Sequence, residues 1–188
     1  MVAFFGYGSL VDPEKLEIYL NQRDLELKSW RVFYLQNYRR YWGVAMNNSV
    51  YIPGYKIYEE PYSGDRPNVY VAFLDIRPEK HAWVNGIVFD TNDQATEILG
   101  SRERNYDRID LFSSSSFVPE PLWTYVGSAE GRQRCEDGAL TNTTVIHIDY
   151  LSDVIESFKK LGKEEYEFFI NETEFRDFPE KYLKRVNT

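Results

Sequence analysis

The first segment with residue types suited to chemistry is a glycine-rich turn close to the N-terminus. It consists of Phe5, Gly6, Tyr7, Gly8, Ser9 and Leu10. Two glycines one residue apart let a backbone approach a ligand closely, and successive amides ahead of a helix can point at an anion. The turn lacks the Gly-Lys-Ser/Thr sequence of a phosphate loop and the second glycine of a nucleophile elbow. Taken alone, its glycines favour a tight turn without a ligand over an anion-binding loop.

The second segment holds a carboxylate between two arginines, about a hundred residues further along the chain. It consists of Arg102, Glu103, Arg104, Asn105 and Tyr106. By residue type alone a solvated charge cluster is favoured, in which the arginines keep the carboxylate ionised and contribute little stability. In an extended segment the two arginines would instead face away from Glu103.

The other reactive residue types favour structural roles. The lone Cys135 excludes a disulfide framework and a multi-thiolate zinc site, and a catalytic role, which would need a histidine partner, is disfavoured. It is expected in a polar loop. His81 is expected at a strand edge and His147 in a half-buried structural position, and the four serines at 113–116 predict a flexible loop.

Composition narrows the class of protein. The chain has 188 residues and carries 22 Lys and Arg against 30 Asp and Glu, a formal charge of −8. That length fits one domain, and the acidic balance argues against a general nucleic-acid binder, which needs a basic face. No apolar run approaches the ~20 residues of a membrane helix, and the first residues lack the features of a signal peptide. We therefore expect a soluble, cytoplasmic protein with neither nucleic acid nor membrane as a partner.

Local signals position the glycine-rich turn between a strand and a helix. Residues 2–5 form a short apolar run that is typical of a buried strand. Asp12 is a suitable N-cap and Pro13 a suitable first helical residue. Apolar residues then recur at helical spacing to about Asn21, so the chain is predicted to open with a strand, a turn and a helix.

The remaining elements predict an α+β fold. Helical periodicity returns from about residue 149, and Thr91 with Gln94 suits a capping box for a short helix through Leu99. Most strands have no crossover helix between them. This order of elements favours a curled, mixed and mostly antiparallel sheet, and it disfavours a doubly wound parallel sheet. We predict one domain over residues 1–188 with a helical C-terminal extension from about 149. Strands are indicated at 28–35, 39–46, 68–76, 81–89, 106–112 and 122–126, and a long surface loop at 51–66.

Together, the two segments resemble the γ-glutamylcyclotransferase-like family. The resemblance rests on the N-terminal Phe-Gly-Tyr-Gly-Ser-Leu sequence, on the Gly-Ile-Val-Phe sequence at 86–89 with a short helix after it, and on Arg-Glu-x-x-Tyr at 102–106. It covers residues 2 to about 126 and leaves the helical tail outside. The family includes γ-glutamylamine cyclotransferases, plant relatives and glutathione-specific ChaC-type enzymes. It implies a small mixed, mostly antiparallel β-barrel with surrounding helices.

The resemblance also implies an activity and the residues that carry it. The family cleaves a γ-glutamyl amide by attack of the substrate's own α-amine, which releases 5-oxoproline and an amine or a peptide. Glu103 falls at the position of the catalytic carboxylate, and Tyr106 is expected near the same pocket. The family's substrate-binding loop matches Tyr7, Gly8, Ser9 and Leu10. No cofactor and no metal are implied, because the nucleophile belongs to the substrate.

This chemistry is feasible with few protein groups. Intramolecular attack removes ~7–11 kcal/mol of the barrier in well-oriented systems. The α-amine, which titrates near ~8, must lose a proton, and the departing nitrogen must gain one. A single carboxyl group can do both in turn, and the turn amides can bind either the α-carboxylate or the oxyanion.

Several alternatives stay open at the level of sequence. A non-catalytic member of the same fold would use the turn to bind an anion or a small metabolite, and a hydrolase would use Glu103 to activate water. The substrate can be a γ-glutamyl-amino acid, a γ-glutamyl amine or a modified peptide. Glutathione specificity is not predicted, because the Arg-Gly-Thr segment of ChaC-type enzymes is missing after Arg39 and Arg40. For those two arginines a solvated face is favoured over an anion contact, which stays open.

Overall fold

A computed structural model describes residues 2–111 and 121–187, so the serine run at 113–116 lies outside the described residues. Within these ranges the chain forms ten strands and five helices. The strands are β1 (Val2–Gly6), β2 (Ser29–Asn47), β3 (Lys56–Glu59), β4 (Tyr70–Thr91), β5 (Tyr106–Asp110), β6 (Leu122–Gly127), β7 (Thr144–His147), β8 (Thr173–Glu174), β9 (Glu180–Lys181) and β10 (Lys184–Asn187). The helices are α1 (Pro13–Asn21), α2 (Ala95–Arg102), α3 (Ala129–Leu140), α4 (Ile148–Leu161) and α5 (Lys163–Glu172).

The main sheet is organised around β4. This strand pairs in antiparallel with β1 and β2 and in parallel with β7. On the far side of β1 lie β6, in parallel, and then β5, in antiparallel with β6. The predicted α+β class with a mixed, mostly antiparallel sheet is therefore confirmed. Strand pairing within the described ranges does not close into a ring, so the barrel stays a prediction.

The long ribbon of β2 and β4 bends at a bulge. Residues 79–82 of β4 lie opposite the single residue Asn37 of β2. Asn37 and His81 both have a positive φ, of 64° and 68°, and the His81 N–H donates to Asn37 Oδ1 at 3.1 Å. Such a bulge turns the ribbon, so its two halves pack against different parts of the molecule.

The opening of the chain folds as the sequence predicts. β1 ends at Gly6, and the Asp12 side chain caps α1 by accepting from the N–H groups of Glu14 and Lys15 at 3.1 and 3.2 Å. A Cβ on Gly6 would lie 2.9 Å from Leu10 Cβ, so glycine is needed for the turn to fold back on its own strand. The turn is thereby fixed over the end of β1.

Several predictions of local structure are wrong. The supposed loop at 51–66 contains β3, which pairs with β10 about 130 residues later. Cys135 is buried in α3 instead of lying in a polar loop. Thr91 does not cap α2, because its hydroxyl donates to the Glu26 carbonyl at 2.8 Å and the helix begins only at Ala95. The chain after α5 forms short strands instead of further helix.

Arg40 is buried, which corrects the predicted solvated face. Its guanidinium lies 4.8 Å from the ring centroids of both Phe158 on α4 and Phe169 on α5. It donates to the backbone and side-chain oxygens of Asn85. Burial lowers the pKa of Arg40 to about 9. The two C-terminal helices therefore pack on the sheet through a buried cation, and their phenylalanines belong to the same hydrophobic core as Phe4 of β1.

Candidate active site

The glycine-rich turn presents a run of backbone amides. It lies between β1 and α1, and it is closed by a hydrogen bond from the Val11 N–H to the Gly8 carbonyl at 3.0 Å. The N–H groups of Gly8, Ser9 and Leu10 donate to no acceptor within residues 2–111 and 121–187. Ser9 is exposed and Leu10 is buried. Three successive donors are thus available to a ligand, as an anion or a carbonyl oxygen would require.

Glu103 is placed by the end of a helix. It is the C-cap of α2, where its N–H donates to the Leu99 carbonyl at 3.1 Å. Its own carbonyl accepts from the Tyr106 N–H at 2.9 Å, which closes a tight turn into β5. The Glu103 side chain is only 14% exposed. The carboxylate is therefore largely withdrawn from solvent instead of lying in a solvated cluster.

The structure brings the two segments together in one niche. The niche has a volume of about 30 Å³, and all six predicted site residues line it: Tyr7, Gly8, Ser9, Leu10, Glu103 and Tyr106. It adjoins a cleft of about 750 Å³, since Ser9, Glu103, Tyr106 and Tyr150 line both. A niche of this size holds about one or two water-sized groups. A ligand can therefore place one small polar group there, and the rest of it must lie in the cleft.

Arg102 contacts Glu103, contrary to the expectation that both flanking arginines face away. Its Nε lies 3.3 Å from Glu103 Oε1, and its NH2 donates to Ser9 Oγ at 3.0 Å. The expectation failed because Arg102 ends a helix and Glu103 caps it, so the alternation of an extended strand does not apply. Arg102 links the carboxylate to the glycine-rich turn. Arg104 does turn elsewhere, over the Tyr55 ring at 5.3 Å.

The two predicted tyrosines have their hydroxyl protons engaged. The Tyr7 hydroxyl donates to the Tyr125 carbonyl at 2.6 Å, and the Tyr106 hydroxyl donates to the Leu74 carbonyl at 2.7 Å. Burial raises the pKa of both phenols well above the usual value, and the charges of Asp75 and Glu103 raise it further. Both residues are neutral walls of the niche whose oxygens can only accept a further hydrogen bond.

Tyr150 completes the niche, and sequence reasoning missed it. It lies in α4, which the resemblance left outside, and its ring packs edge-on against Trp42 and Phe73. A Cβ on Gly8 would lie 3.4 Å from its hydroxyl oxygen. Burial raises the pKa of Tyr150, although a hydrogen bond with the Leu74 backbone opposes this. No sequence signal indicated that α4 would lie against the glycine-rich turn.

The start of α4 is fixed by His147, which orients Tyr150. His147 is buried instead of half-buried, and its Nδ1 accepts from the Tyr150 N–H at 3.3 Å. Its Nε2 lies 2.7 Å from the Leu183 carbonyl, just before β10. The predicted structural role is confirmed. His147 connects the helix that carries Tyr150 to the ribbon of β3 and β10.

Comparison with solved structures identifies the fold. One solved structure, described as a γ-glutamyl cyclotransferase, matches with a TM-score of 0.52 and 13% sequence identity over 96% of this chain and 92% of that chain. The chain has the γ-glutamyl cyclotransferase fold. A human protein described as uncharacterized, with a crystal structure refined as an ensemble, matches with a TM-score of 0.52 and 14% identity over the same shares. No family model and no curated protein matches the chain.

The extent of this similarity corrects one expectation and leaves another open. It spans nearly the whole chain, so it extends beyond residues 2–126 and takes in C-terminal segments that the sequence resemblance left outside. At 13% identity it establishes the fold alone. The roles of individual residues must therefore be argued from the geometry of the niche and the cleft.

The cleft contains a lysine in an unusual environment. Lys56, on β3, is partly buried, and its Nζ lies 4.1 Å from the centroid of the Phe73 ring. Burial, together with the positive charge of Arg185, lowers the pKa of Lys56 to about 7. Both residues line the cleft, and both were missed, since β3 lies within the supposed loop and β10 within the supposed helical tail. Their pairing over a long sequence separation left no local signal.

Within residues 2–111 and 121–187, no group of three or more His, Cys, Asp or Glu side chains is arranged to hold a metal ion. No helix in the same ranges has the length and apolar character needed to span a membrane.

Proposed function

We propose that this protein cleaves a γ-glutamyl amide by internal cyclisation, releasing 5-oxoproline and an amine or a peptide. The observation that carries the proposal is the niche in which the free amides of the glycine-rich turn and the shielded Glu103 carboxylate lie together. The γ-glutamyl cyclotransferase fold supports it. The reaction requires no cofactor, and we expect it to take place in the cytoplasm.

Glu103 is the proposed general acid and base. It takes a proton from the α-ammonium group of the substrate, and the resulting amine attacks the γ-carbonyl carbon to form the five-membered ring. The bond from that carbon to the amide nitrogen then breaks, and Glu103 returns the proton to the departing nitrogen. The attacking nitrogen loses a second proton as the lactam forms, and the departing nitrogen takes it up and leaves as an ammonium group. Two protons thus pass from one nitrogen to the other, and no water is consumed.

The turn amides and the tyrosines are proposed to assist in different ways. The N–H groups of Gly8, Ser9 and Leu10 bind a substrate oxygen, and the small niche admits one such group at a time. The rings of Tyr7, Tyr106 and Tyr150 limit the access of water, which would divert the reaction to hydrolysis. Arg102 acts as a positioning residue, because it fixes the carboxylate relative to Ser9.

The Glu103→Gln variant tests this proposal. Purified protein is incubated with a panel of γ-glutamyl-amino acids, γ-glutamyl amines and γ-glutamyl peptides, and 5-oxoproline is measured by mass spectrometry. We expect release by the wild-type protein and a loss of about 10²–10⁴-fold in the variant with binding retained. Glu97→Gln, an exposed carboxylate on the same helix, is the matched control. Free glutamate as the product would indicate a hydrolase instead.

A non-catalytic receptor of the same fold is the second candidate. It is favoured by the contact of Arg102 with Glu103, which engages one carboxylate oxygen that a base would need. Such a protein would bind γ-glutamyl compounds through the turn amides without converting them. Saturable binding by calorimetry, together with no 5-oxoproline from any member of the panel, would establish the receptor and contradict the enzyme.

A further inference from the structure

The cleft carries positive charge on an acidic protein. Three carboxylates line it, from Glu103, Asp149 and Asp153, although the chain as a whole has a charge of −8. Five cationic side chains line it: Lys15, Arg23, Lys56, Arg102 and Arg185. A cleft whose sign opposes that of its protein concentrates anions, since its low-dielectric walls focus the local field.

Some cations of the cleft are paired with a carboxylate, and others are not. Lys15 Nζ lies 3.1 Å from Asp153 Oδ1, and Arg102 is paired with Glu103. In contrast, no carboxylate oxygen of residues 2–111 and 121–187 lies within 4 Å of a charged nitrogen of Lys56 or Arg185. These two side chains are therefore available to an anion from solution.

Lys56 and Arg185 are held on one face of a two-stranded ribbon. Lys56 pairs with Asn187, and Tyr58 pairs with Arg185, across β3 and β10. Residues two apart on a strand point to the same side, so these four side chains share a face, and all four line the cleft. Lys184, one residue before Arg185, belongs to the opposite face.

The position of Lys56 is unfavourable without a partner of opposite charge. Its ammonium nitrogen lies 4.1 Å from the centroid of the Phe73 ring and 5.6 Å from that of the Tyr55 ring, and Arg185 is its diagonal neighbour on the ribbon. Aromatic faces compensate a cation only in part, and a second cation nearby adds repulsion. A carboxylate between the two nitrogens would relieve both penalties. Glu103 and Lys56 line the same cleft, so a ligand that lies along it can contact both.

We infer that Lys56 and Arg185 form a subsite for a carboxylate on the departing half of the substrate, which is the amine or peptide released when the amide bond breaks. This inference rests on the proposed function and narrows it: the preferred substrates are γ-glutamyl amino acids or peptides with a free carboxylate, and uncharged γ-glutamyl amines are poor substrates. The γ-carbonyl group lies at the niche, and the departing half extends along the cleft to the ribbon of β3 and β10.

The test compares γ-glutamyl-alanine with γ-glutamyl-alaninamide, which differ only in the carboxylate. At pH 6.5 we expect the wild-type kcat/KM to be about tenfold or more higher for the acid, as for a hydrogen bond to a charged group. In Lys56→Gln this preference falls to less than about threefold, because KM rises for the acid and does not change for the amide. Arg185→Gln has a smaller effect because Arg185 is exposed, and Lys184→Gln, the control on the opposite face, retains the preference.

The outcomes separate this inference from the proposed function. If 5-oxoproline is released from both substrates at equal rates, or if Lys56→Gln slows both equally, the enzyme stands and the subsite is overturned. If neither substrate yields 5-oxoproline, the proposed function fails, and calorimetry of the same two compounds decides the subsite. Tighter binding of the acid that is lost in Lys56→Gln supports it, and equal binding of acid and amide overturns it.

Discussion

Lys56 shows how a single residue can be placed for binding at a cost to the fold. A partly buried ammonium group beside aromatic rings and near an arginine is less stable than the same group in water. Ordinary surface lysines have no such constraint. The position is understandable if a ligand supplies the missing negative charge, and it leads to two predictions about pH.

The first prediction concerns substrate preference. Because the pKa of Lys56 is lowered to about 7, its positive charge is lost as the pH rises above neutrality. The charged groups around it are Arg185 from β10 and Arg102 and Glu103 from the end of α2, and Tyr55 beside it is neutral, with a pKa raised to about 12. We expect the ratio of kcat/KM for γ-glutamyl-alanine over the amide to fall between pH 6 and pH 9 in the wild type. In Lys56→Gln the ratio should be flat.

Because the pH dependence of kcat/KM reports the free enzyme, the fall should be centred near the pKa of unliganded Lys56, about 7. When kcat and KM are measured separately at each pH, the change in the ratio should lie in KM. A wild-type ratio that does not change over this range would contradict the assignment of Lys56 to the carboxylate.

The second prediction concerns stability. The folded pKa of Lys56 lies below the usual ~10.4, so between about pH 7 and 10 the unfolded chain binds more protons and the free energy of unfolding rises with pH. The charged lysine therefore destabilises the fold most at and below pH 7. We expect Lys56→Met to raise the free energy of unfolding by about 1–3 kcal/mol at pH 6.5 and by less at pH 9.5. Urea denaturation at both pH values measures this, with Lys184→Met as the control.

At the scale of the elements, local signals and long-range pairing contributed differently. The strand, turn and helix at the N-terminus were predictable, because an apolar run, Asp12 and Pro13 act within a few residues. The family resemblance, and no local pattern, predicted that this turn would lie beside Glu103. That proximity depends on β5, β6 and β1 lying side by side, which residue spacing does not encode.

The same limit explains what sequence reasoning missed. Tyr150 reaches the niche because α4 packs across the sheet, and Lys56 reaches the cleft because β3 pairs with the last strand of the chain. Arg40 looked like a surface residue, since nothing local indicates that two phenylalanine rings more than a hundred residues away will cover it. Burial of a charged residue is decided by the tertiary structure, and composition favours the surface by default.

The third prediction distinguishes the two glycines of the turn. A Cβ on Gly6 would be 2.9 Å from both Leu10 Cβ and the Leu10 carbonyl oxygen, so Gly6→Ala must displace the turn and should lower the free energy of unfolding by about 1–3 kcal/mol. A Cβ on Gly8 would meet Tyr150 Oη at 3.4 Å and Leu74 Cβ at 3.8 Å, which are tolerable contacts. Gly8→Ala should therefore fold normally and lose activity, because the methyl group occupies the space beside the turn amides.

Thermal or urea unfolding of both variants, measured beside kcat/KM for a γ-glutamyl substrate, separates the two effects. Full activity in Gly8→Ala would show that no substrate group enters between the turn and Tyr150.

At the scale of the whole molecule, the C-terminal third is part of the site and of the core. Phe158 and Phe169 are fully buried and stack at 4.4 Å, and they cover the Arg40 guanidinium. The same third provides Tyr150 to the niche and Arg185 to the cleft. A helical extension that was merely attached to a complete domain would contribute neither. We therefore expect residues 1–188 to unfold as one domain.

The fourth prediction tests this unity by truncation. A chain that ends at residue 148 keeps β1 to β7 but loses α4 and α5, which leaves the apolar surface beneath Phe158 and Phe169 open to water and Arg40 without its aromatic partners. Losing two fully buried phenylalanines at about 3–5 kcal/mol each costs about 6–10 kcal/mol, which is comparable with the whole stability of a domain, ~5–15 kcal/mol. We expect the full chain to show a single cooperative transition by circular dichroism and calorimetry, and the truncated chain to show none. A truncated chain with a cooperative transition would mean that the N-terminal part folds alone and does not need the C-terminal helices to complete its core.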